Sequence, residues 1–240
     1  MEIKISVLTP SIREPGLEIV QKALRKQTFT DFEWLIGSPF NPKKVYGEWV
    51  PDNFTGGCWT LNRMMNKMIS KASGELLISW QDFTYAKPDT LEKFYYHYLT
   101  EPTMLVGAVG NKYEDETWQK QTWQDPRERS DQGNYYNVNF NDVEWNLCSV
   151  PKQALFDIGG LDEGMDMKFF GMDGFNVNHR LKDSGLYDFK LDQTIKSYSL
   201  GHGRVEDWDK VNGVNGLYLD HVKERKAKKE WPYLDYLPRK

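Results

Sequence analysis

The hydrophobic positions change period several times along this chain, and each change marks a predicted element. Residues 3 to 8, IKISVL, read as a strand ended by Thr9-Pro10-Ser11. Leu17, Val20, Ala23 and Leu24 then recur at helical spacing, predicting a helix over about 17–26. FEWLIG is a second strand, so the opening residues make a parallel strand–helix–strand unit. Residues 39 to 57 hold three prolines and three glycines and read as loop, with a short strand near Val45 to Trp49. Thr60 to Lys71 is a helix whose Met64, Met65 and Met68 share one face with Leu61 and Ile69; such a face reads as core packing. After a helix-stopping Gly74 comes the apolar run Leu76-Leu77-Ile78, whose length suits a buried strand. Pro88 and Asp89 start a helix to about Leu99, and Met104 to Val109 form another strand.

The second half is patterned less clearly. From Lys112 to Asn141 the chain is polar and aromatic without a period, too long for a simple connection; such a segment is a binding lid or is disordered. Trp145 to Val150 is a strand, and Pro151 opens a helix at its favoured first position, ending at Ile158-Gly159-Gly160. Asp173 precedes a short helix closed by Gly185, and 188–200 holds strand-like pieces. Beyond Asp207 the chain is helical and then irregular, with a cationic run, VKERKAKKEW. No repeat and no flexible linker separates a second domain. The predicted class is α/β, a single domain with a mostly parallel central sheet.

Composition narrows the partners. A net charge of -4 and a pI near 5.7 supply no overall field for nucleic acid or membrane, though local basic patches remain open. Cys58 and Cys148 lack zinc spacing and read as reduced structural thiols. No run is long enough to span a bilayer and the start lacks a signal-peptide pattern, so a cytoplasmic location is expected. Nine Trp and thirteen Tyr suit core and interface packing, and equally stacking on sugars or bases.

The candidate chemistry starts at Asp82, which follows the strand ending in Ser79-Trp80. Ligands of open α/β sheets bind beyond the carboxyl ends of strands. Asp82 therefore either meets a metal or substrate there or is a turn carboxylate satisfying local N–H groups.

Four segments, in order, resemble the family 2-like glycosyltransferases with their GT-A nucleotide-sugar fold. SVLTPSIREPGLEIVQKALRKQTFTDFEWLIG is similar to that family's opening strand, P-[ST]-x-x-R loop, helix and second strand. LNRMMNKMISKASGELLISWQDF resembles the stretch before its DxD motif. CSVPKQALFDIGGLDE resembles the acceptor-side segment ending in GGxDE, and FFGMDGFNVNHRLKDSG the ED motif with its R-L-x-x-x-G. Three motifs depart. Gln81 and Phe83 stand where the family has its two DxD aspartates, Met172 replaces the Glu of ED, and Ser38-Pro39 replaces an acidic pair near the base.

The resemblance implies a three-layer GT-A-like domain over 1–205, its nucleotide part about 1–110 and its acceptor part about 111–205, with 206–240 as a C-terminal extension. It implies transfer of a sugar from a nucleoside diphosphate sugar, by family frequency a UDP-sugar, to an acceptor hydroxyl. Thr9, Pro10, Ser11 and Arg13 would hold base and ribose. Asn62 and Arg63 would reach the diphosphate or ribose, with capping as the plainer role of Asn62. Gln81 and Asp82 fall at the degenerate DxD. A leaving diphosphate needs Mn²⁺, Mg²⁺ or cationic side chains to neutralise it. Asp82 and His202 are the candidate cation ligands, His202 being equally a surface histidine in a Gly-rich turn. Arg204 would pair with phosphate or stay solvated. Asp173 falls at the catalytic Asp of ED, an inverting general base whose apolar surroundings raise a carboxyl pKa; it is also suited to cap the following helix. Glu163 is a candidate contact for acceptor hydroxyls and Trp145 a candidate stacking platform. The acceptor would be a glycan, a lipid-linked sugar or a small molecule. Transfer to a hydroxymethylated base in DNA, and a non-catalytic nucleotide-sugar-binding relative, are the alternatives.

Overall fold

The computed structural model describes residues 2–11, 14–52, 61–163, 166 and 174–200. Among the described residues ten strands share one sheet. Its main path runs β3 (Glu48–Pro51), β2 (Phe32–Ser38), β1 (Ile5–Pro10), β4 (Leu76–Trp80), β9 (Leu147–Pro151), β6 (Met104–Tyr113), β10 (Asp188–Leu200), β5 (Thr84–Ala86). The first four are mutually parallel, as are β6 and β10. β9 runs antiparallel between β4 and β6, and β5 antiparallel beside β10. The hairpin strand β7 (Gln121–Trp123) pairs with β6, and β8 (Tyr135–Asn137) with β10.

Side-chain alternation divides the core into two layers. On one face Leu8, Leu35 and Leu77 pack with α2 (Leu61–Lys71), α4 (Lys152–Asp157) and α5 (Gly174–Ser184). On the other, Ile5, Val7, Ile36 and Ile78 pack with α1 (Glu14–Leu24) and α3 (Thr90–Thr100). This is the expected α/β three-layer sandwich with a mostly parallel sheet. The methionine face of α2 is core, with Met65 and Met68 fully buried. Cys148 is buried and free, its thiol pushed up by burial; Cys58 lies outside the described residues. Among the described residues no helix is long and apolar enough to cross a membrane.

Several elements differ from expectation for identifiable reasons. The 112–141 segment is built: β6 extends to Tyr113, β7 and β8 lie on the sheet, and a 3-10 turn at Phe140–Asp142 carries a capping box from Asn139. Its anchor is polar. Asp125 accepts the Gly110 N–H at 2.8 Å and the Arg127 N–H at 2.9 Å, and it pairs with the Arg127 guanidinium. Pro151 ends β9 and caps α4 from outside, so it is not the first helical residue. Gly74 stands three residues past α2 and is required by close approach, since a Cβ there would lie 2.6 Å from the Ile5 carbonyl carbon. The pieces over 188–200 are one 13-residue strand, irregular between Asp192 and Lys196.

Candidate functional site

β1, β2 and β4 end side by side, and their carboxyl edge collects the sequence-predicted residues. Thr9 and Pro10 end β1, and the Ser11 N–H continues the ladder by donating to the Gly37 carbonyl at 2.9 Å. The Ser11 hydroxyl donates to Asp82 Oδ2 at 2.8 Å, joining two buried groups 71 positions apart. Thr9 is fully buried, its hydroxyl accepting the Trp34 indole N–H at 2.9 Å.

The chain turns sharply after Asp82. Phe83 has φ +58°, a left-handed conformation that a bulky residue adopts only under surrounding constraint. Its N–H donates to the Gly16 carbonyl at 3.2 Å and its carbonyl accepts from Leu200 N at 3.1 Å. Gly16 is glycine for a steric reason: a Cβ there would stand 2.6 Å from Phe83 Cε2 and 3.0 Å from Asp82 Cβ. The first turn of α1 and the turn after β4 thus lock together.

Gln81 faces the other flank. Its N–H donates to the Asn146 carbonyl at 2.8 Å, and the Asn146 amide donates to Glu144 Oε2 at 3.1 Å. Glu144 also pairs with Arg127 at 3.3 Å, while half of its side chain reaches solvent. Burial of the carboxyl pushes its pKa above the ordinary value, against the pull of Arg127. Trp145 is 7% exposed, and its indole N–H donates to Asn178 Oδ1 at 3.0 Å. A Cβ on Gly174 would strike its ring, so Trp145 is wedged against the start of α5 as a core residue below this edge.

A second group gathers at the start of α2. Asp166 accepts the Asn62 N–H at 3.0 Å, the Asn62 side-chain amide at 2.9 Å and the Arg63 N–H at 2.9 Å. It thereby satisfies helix N–H groups that have no intrahelical partner. Burial pushes its carboxyl up, and these hydrogen bonds pull it down without cancelling the rise. The Arg63 guanidinium reaches Asp52, at 3.0 Å from Nε, and Lys67 meets the same carboxylate at 2.7 Å. Glu163 Oε1 accepts from the Asn66 amide at 3.0 Å, and Asn66 also exchanges two bonds with the Leu161 backbone. The carboxyl of Glu163 is raised by burial.

The structure therefore joins Thr9, Pro10, Ser11, Gln81 and Asp82 at one edge. Around the first turns of α2 it sets Asn62 and Arg63, engaged by Asp166 and, for Arg63, by Asp52, and Glu163, which meets Asn66. Arg13, Asp173, His202 and Arg204 lie outside the described residues. Sequence reasoning did not single out Asp52, Asp166, Glu144 or Asn146. Asn66 carries a signal in the sequence, since it stands in the stretch LNRMMNKMISKASGE that resembles the segment before DxD. Among the described residues no three His, Cys, Asp or Glu converge on a cation position. Asp82 is a hard oxygen donor of the type Mn²⁺ or Mg²⁺ takes, but a single one.

No family model matches the chain, and no curated protein does. Solved structures do. A crystal structure of GalNAc-T7 with UDP, GalNAc and Mn²⁺ superposes with a TM-score of 0.64 at 12% identity, covering 85% of this chain and 44% of that one. S. aureus TarS 1-349 with UDP-GlcNAc gives 0.59 at 12% identity, over 85% of this chain and 60% of that one. A further S. aureus TarS structure gives 0.58 at 12% identity, over 82% and 37%. The fold is GT-A-like, and the chain spans less than two thirds of the length of these proteins.

Proposed function

We propose that this chain transfers a sugar from a nucleoside diphosphate sugar, a UDP-sugar, to an acceptor hydroxyl with inversion. The observation that carries the reading is the Ser11–Asp82 contact, which brings the loop after β1 and the position of the degenerate DxD to one point of a GT-A-like sheet. The neighbours add support in kind, having been crystallised with UDP or UDP-GlcNAc.

In this reading the loop from Thr9 to Arg13 holds the nucleoside half of the donor. Ser11 orients the Asp82 carboxylate toward the diphosphate. A bound Mn²⁺ or Mg²⁺ would supply charge neutralisation for the departing diphosphate, with Asp82 and His202 as its protein ligands. Arg204 pairs with phosphate oxygens. Asp173 accepts the acceptor's hydroxyl proton while that oxygen bonds to the anomeric carbon. The bond from that carbon to the diphosphate oxygen breaks, and the nucleoside diphosphate leaves with the electron pair. Glu163 contacts acceptor hydroxyls in this reading, whereas Trp145, packed in the core, offers no face for stacking on them. The acceptor is a glycan, a lipid-linked sugar or a small molecule.

Thermal shift against UDP-sugars, with and without Mn²⁺, tests the donor half. UDP-sugars should raise the melting temperature, and Asp82→Ala should remove the Mn²⁺-dependent part while the fold stays intact. Tight binding of a nicotinamide or flavin cofactor in place of every nucleotide sugar would refute the assignment. Asp173→Asn tests the base. Donor binding should survive while transfer falls by at least about a hundredfold, the lower end of what a general base contributes. Near wild-type transfer by that variant removes Asp173 as base and turns attention to Glu144, the raised carboxyl beside Gln81.

A further inference from the structure

A second cleft, of about 420 Å³, lies between α1, β5 and the tip of the β6–β7 hairpin, away from the Ser11–Asp82 edge. Ile19, Lys22, Arg25 and Lys26 line one wall at helical spacing, and Tyr85, Glu116 and Trp118 line the other. The aromatic side is built firmly. Asp115 Oδ1 accepts both the N–H and the hydroxyl of Thr117, and Glu114 N donates to the Lys120 carbonyl at 3.0 Å, so the hairpin tip is fixed on both sides of Trp118. Trp118 itself has φ +57°, a left-handed conformation that costs a bulky residue free energy. That cost is met by packing. Its indole stacks on Tyr85 with centroids 5.6 Å apart and stands edge-on to Tyr113 and Tyr198.

The helical side is cationic. Lys22 pairs with Glu116 at 2.6 Å, an exposed contact. Arg25 lies 5.7 Å from the Tyr46 ring centroid and Lys26 5.5 Å from that of Tyr85, and neither has a carboxylate partner among the described residues. Three cations thus face one acid across an aromatic wall. The cleft begins at Ile19, one helical turn from Gly16, whose carbonyl holds Phe83. From Gly16 to Arg25 α1 advances about 14 Å, so the cleft leads away from the transfer edge.

We infer that this cleft is a second saccharide site, taking a sugar that carries a phosphate, sulfate or carboxylate, with its ring against Trp118 and Tyr85 and its anion on Arg25 and Lys26. A neutral sugar would leave the two cations unused. A nucleic-acid strand brings a phosphate about every 3.4 Å to a chain of net charge -4 and would meet Glu116 on the aromatic wall. The inference rests on the proposed transferase reading, in which the cleft holds part of an extended acceptor.

The test is titration by calorimetry with sulfated maltohexaose, neutral maltohexaose and oligo-dT. The sulfated sugar should bind at least about tenfold more tightly than the neutral one. Trp118→Ala should weaken it by about tenfold or more, Trp118→Phe should restore most of the loss, and Arg25→Glu with Lys26→Glu should abolish the preference for sulfate. The charge variant alters exposed side chains only, so it remains informative if Trp118→Ala fails to fold. Equal binding of both maltohexaoses, undiminished binding by the charge variant, or tighter binding of oligo-dT that displaces the sugar would overturn the inference. UDP binding is measured on each variant in parallel. Lost sugar binding with UDP binding intact rejects the cleft alone; absent UDP binding with sugar binding intact rejects the transferase reading alone.

Discussion

The two halves of the sheet are held together by different physics. From β3 to β4 every strand is parallel, every connection passes through a nearby helix or loop, and the interior is apolar on both faces. From β9 to β5 parallel and antiparallel pairings are mixed and polar pairs do the fastening. His97 meets Asp192 at 2.8 Å beneath Tyr135, which stacks on the imidazole at 4.0 Å. Lys190 meets Glu101 at 2.7 Å, Lys196 pairs with Glu128, and Arg127 pairs with Asp125. The first half tells the chain where to turn through local periodicity. The second depends on groups far apart in sequence finding each other.

If that contrast is right, the largest effect in the second half belongs to Arg127→Ala. It leaves Asp125, whose side chain is wholly buried, without its cation. Breaking a buried pair from one side costs about 3–5 kcal/mol, readable from urea unfolding at pH 7. The pH dependence should change sign. Burial pushes Asp125 up, but the Arg127 guanidinium and the Gly110 and Arg127 N–H groups outweigh it and hold the carboxyl below its ordinary value. In the wild type its contribution is therefore full above the unfolded value of about 3.9 and is lost as pH falls through the depressed one. Without the guanidinium burial prevails, the pKa rises, and protonation stabilises the variant. Its deficit should narrow between pH 7 and pH 5; a deficit that widens in acid would break the account.

The first half should be most sensitive to shape. Gly74→Ala drives a Cβ into the Ile5–Ser6 backbone, which cannot swing aside as a side chain can. A cost of about 1–3 kcal/mol is expected, with little dependence on pH. Asp166→Ala should cost about 1 kcal/mol, the usual loss for a helix cap, and should loosen Asn62 and Arg63, as amide exchange at the start of α2 would report. Smallest of all is Lys120→Ala. Its partner Glu114 is 2.8 Å away, but both side chains are largely exposed, so a change below about 0.5 kcal/mol is expected. A larger loss would mean that the hairpin tip depends on that pair.

The same division decides what could be read from the chain alone. β1, α1, β2, α2, β4 and α3 were legible because each carries a helical apolar period or an apolar run of strand length, bounded by turn residues. β5, β7 and β8 have three residues each, too few for any period, and β5 pairs with β10 through Thr84 and Ser199, 115 positions apart. The 112–141 segment looked like lid or disorder because its order comes from Asp125 and Arg127 and not from apolar spacing. In the site, Ser11 and Asp82 were legible through strand ends and family likeness. Asp52 and Asp166 were not, since a carboxylate in a loop carries no mark of which helix it will meet.

That Asp166 occupies the start of α2 has an electrostatic consequence. A helix of this length presents about half an elementary positive charge at its first turn, and such a terminus ordinarily welcomes phosphate. Here a full negative charge already sits there while Asp166 is ionised, hydrogen-bonded to two backbone N–H groups. The dipole charge of the first turn is thereby answered within the chain, and the corner carries this carboxylate beside the Arg63 and Lys67 cations.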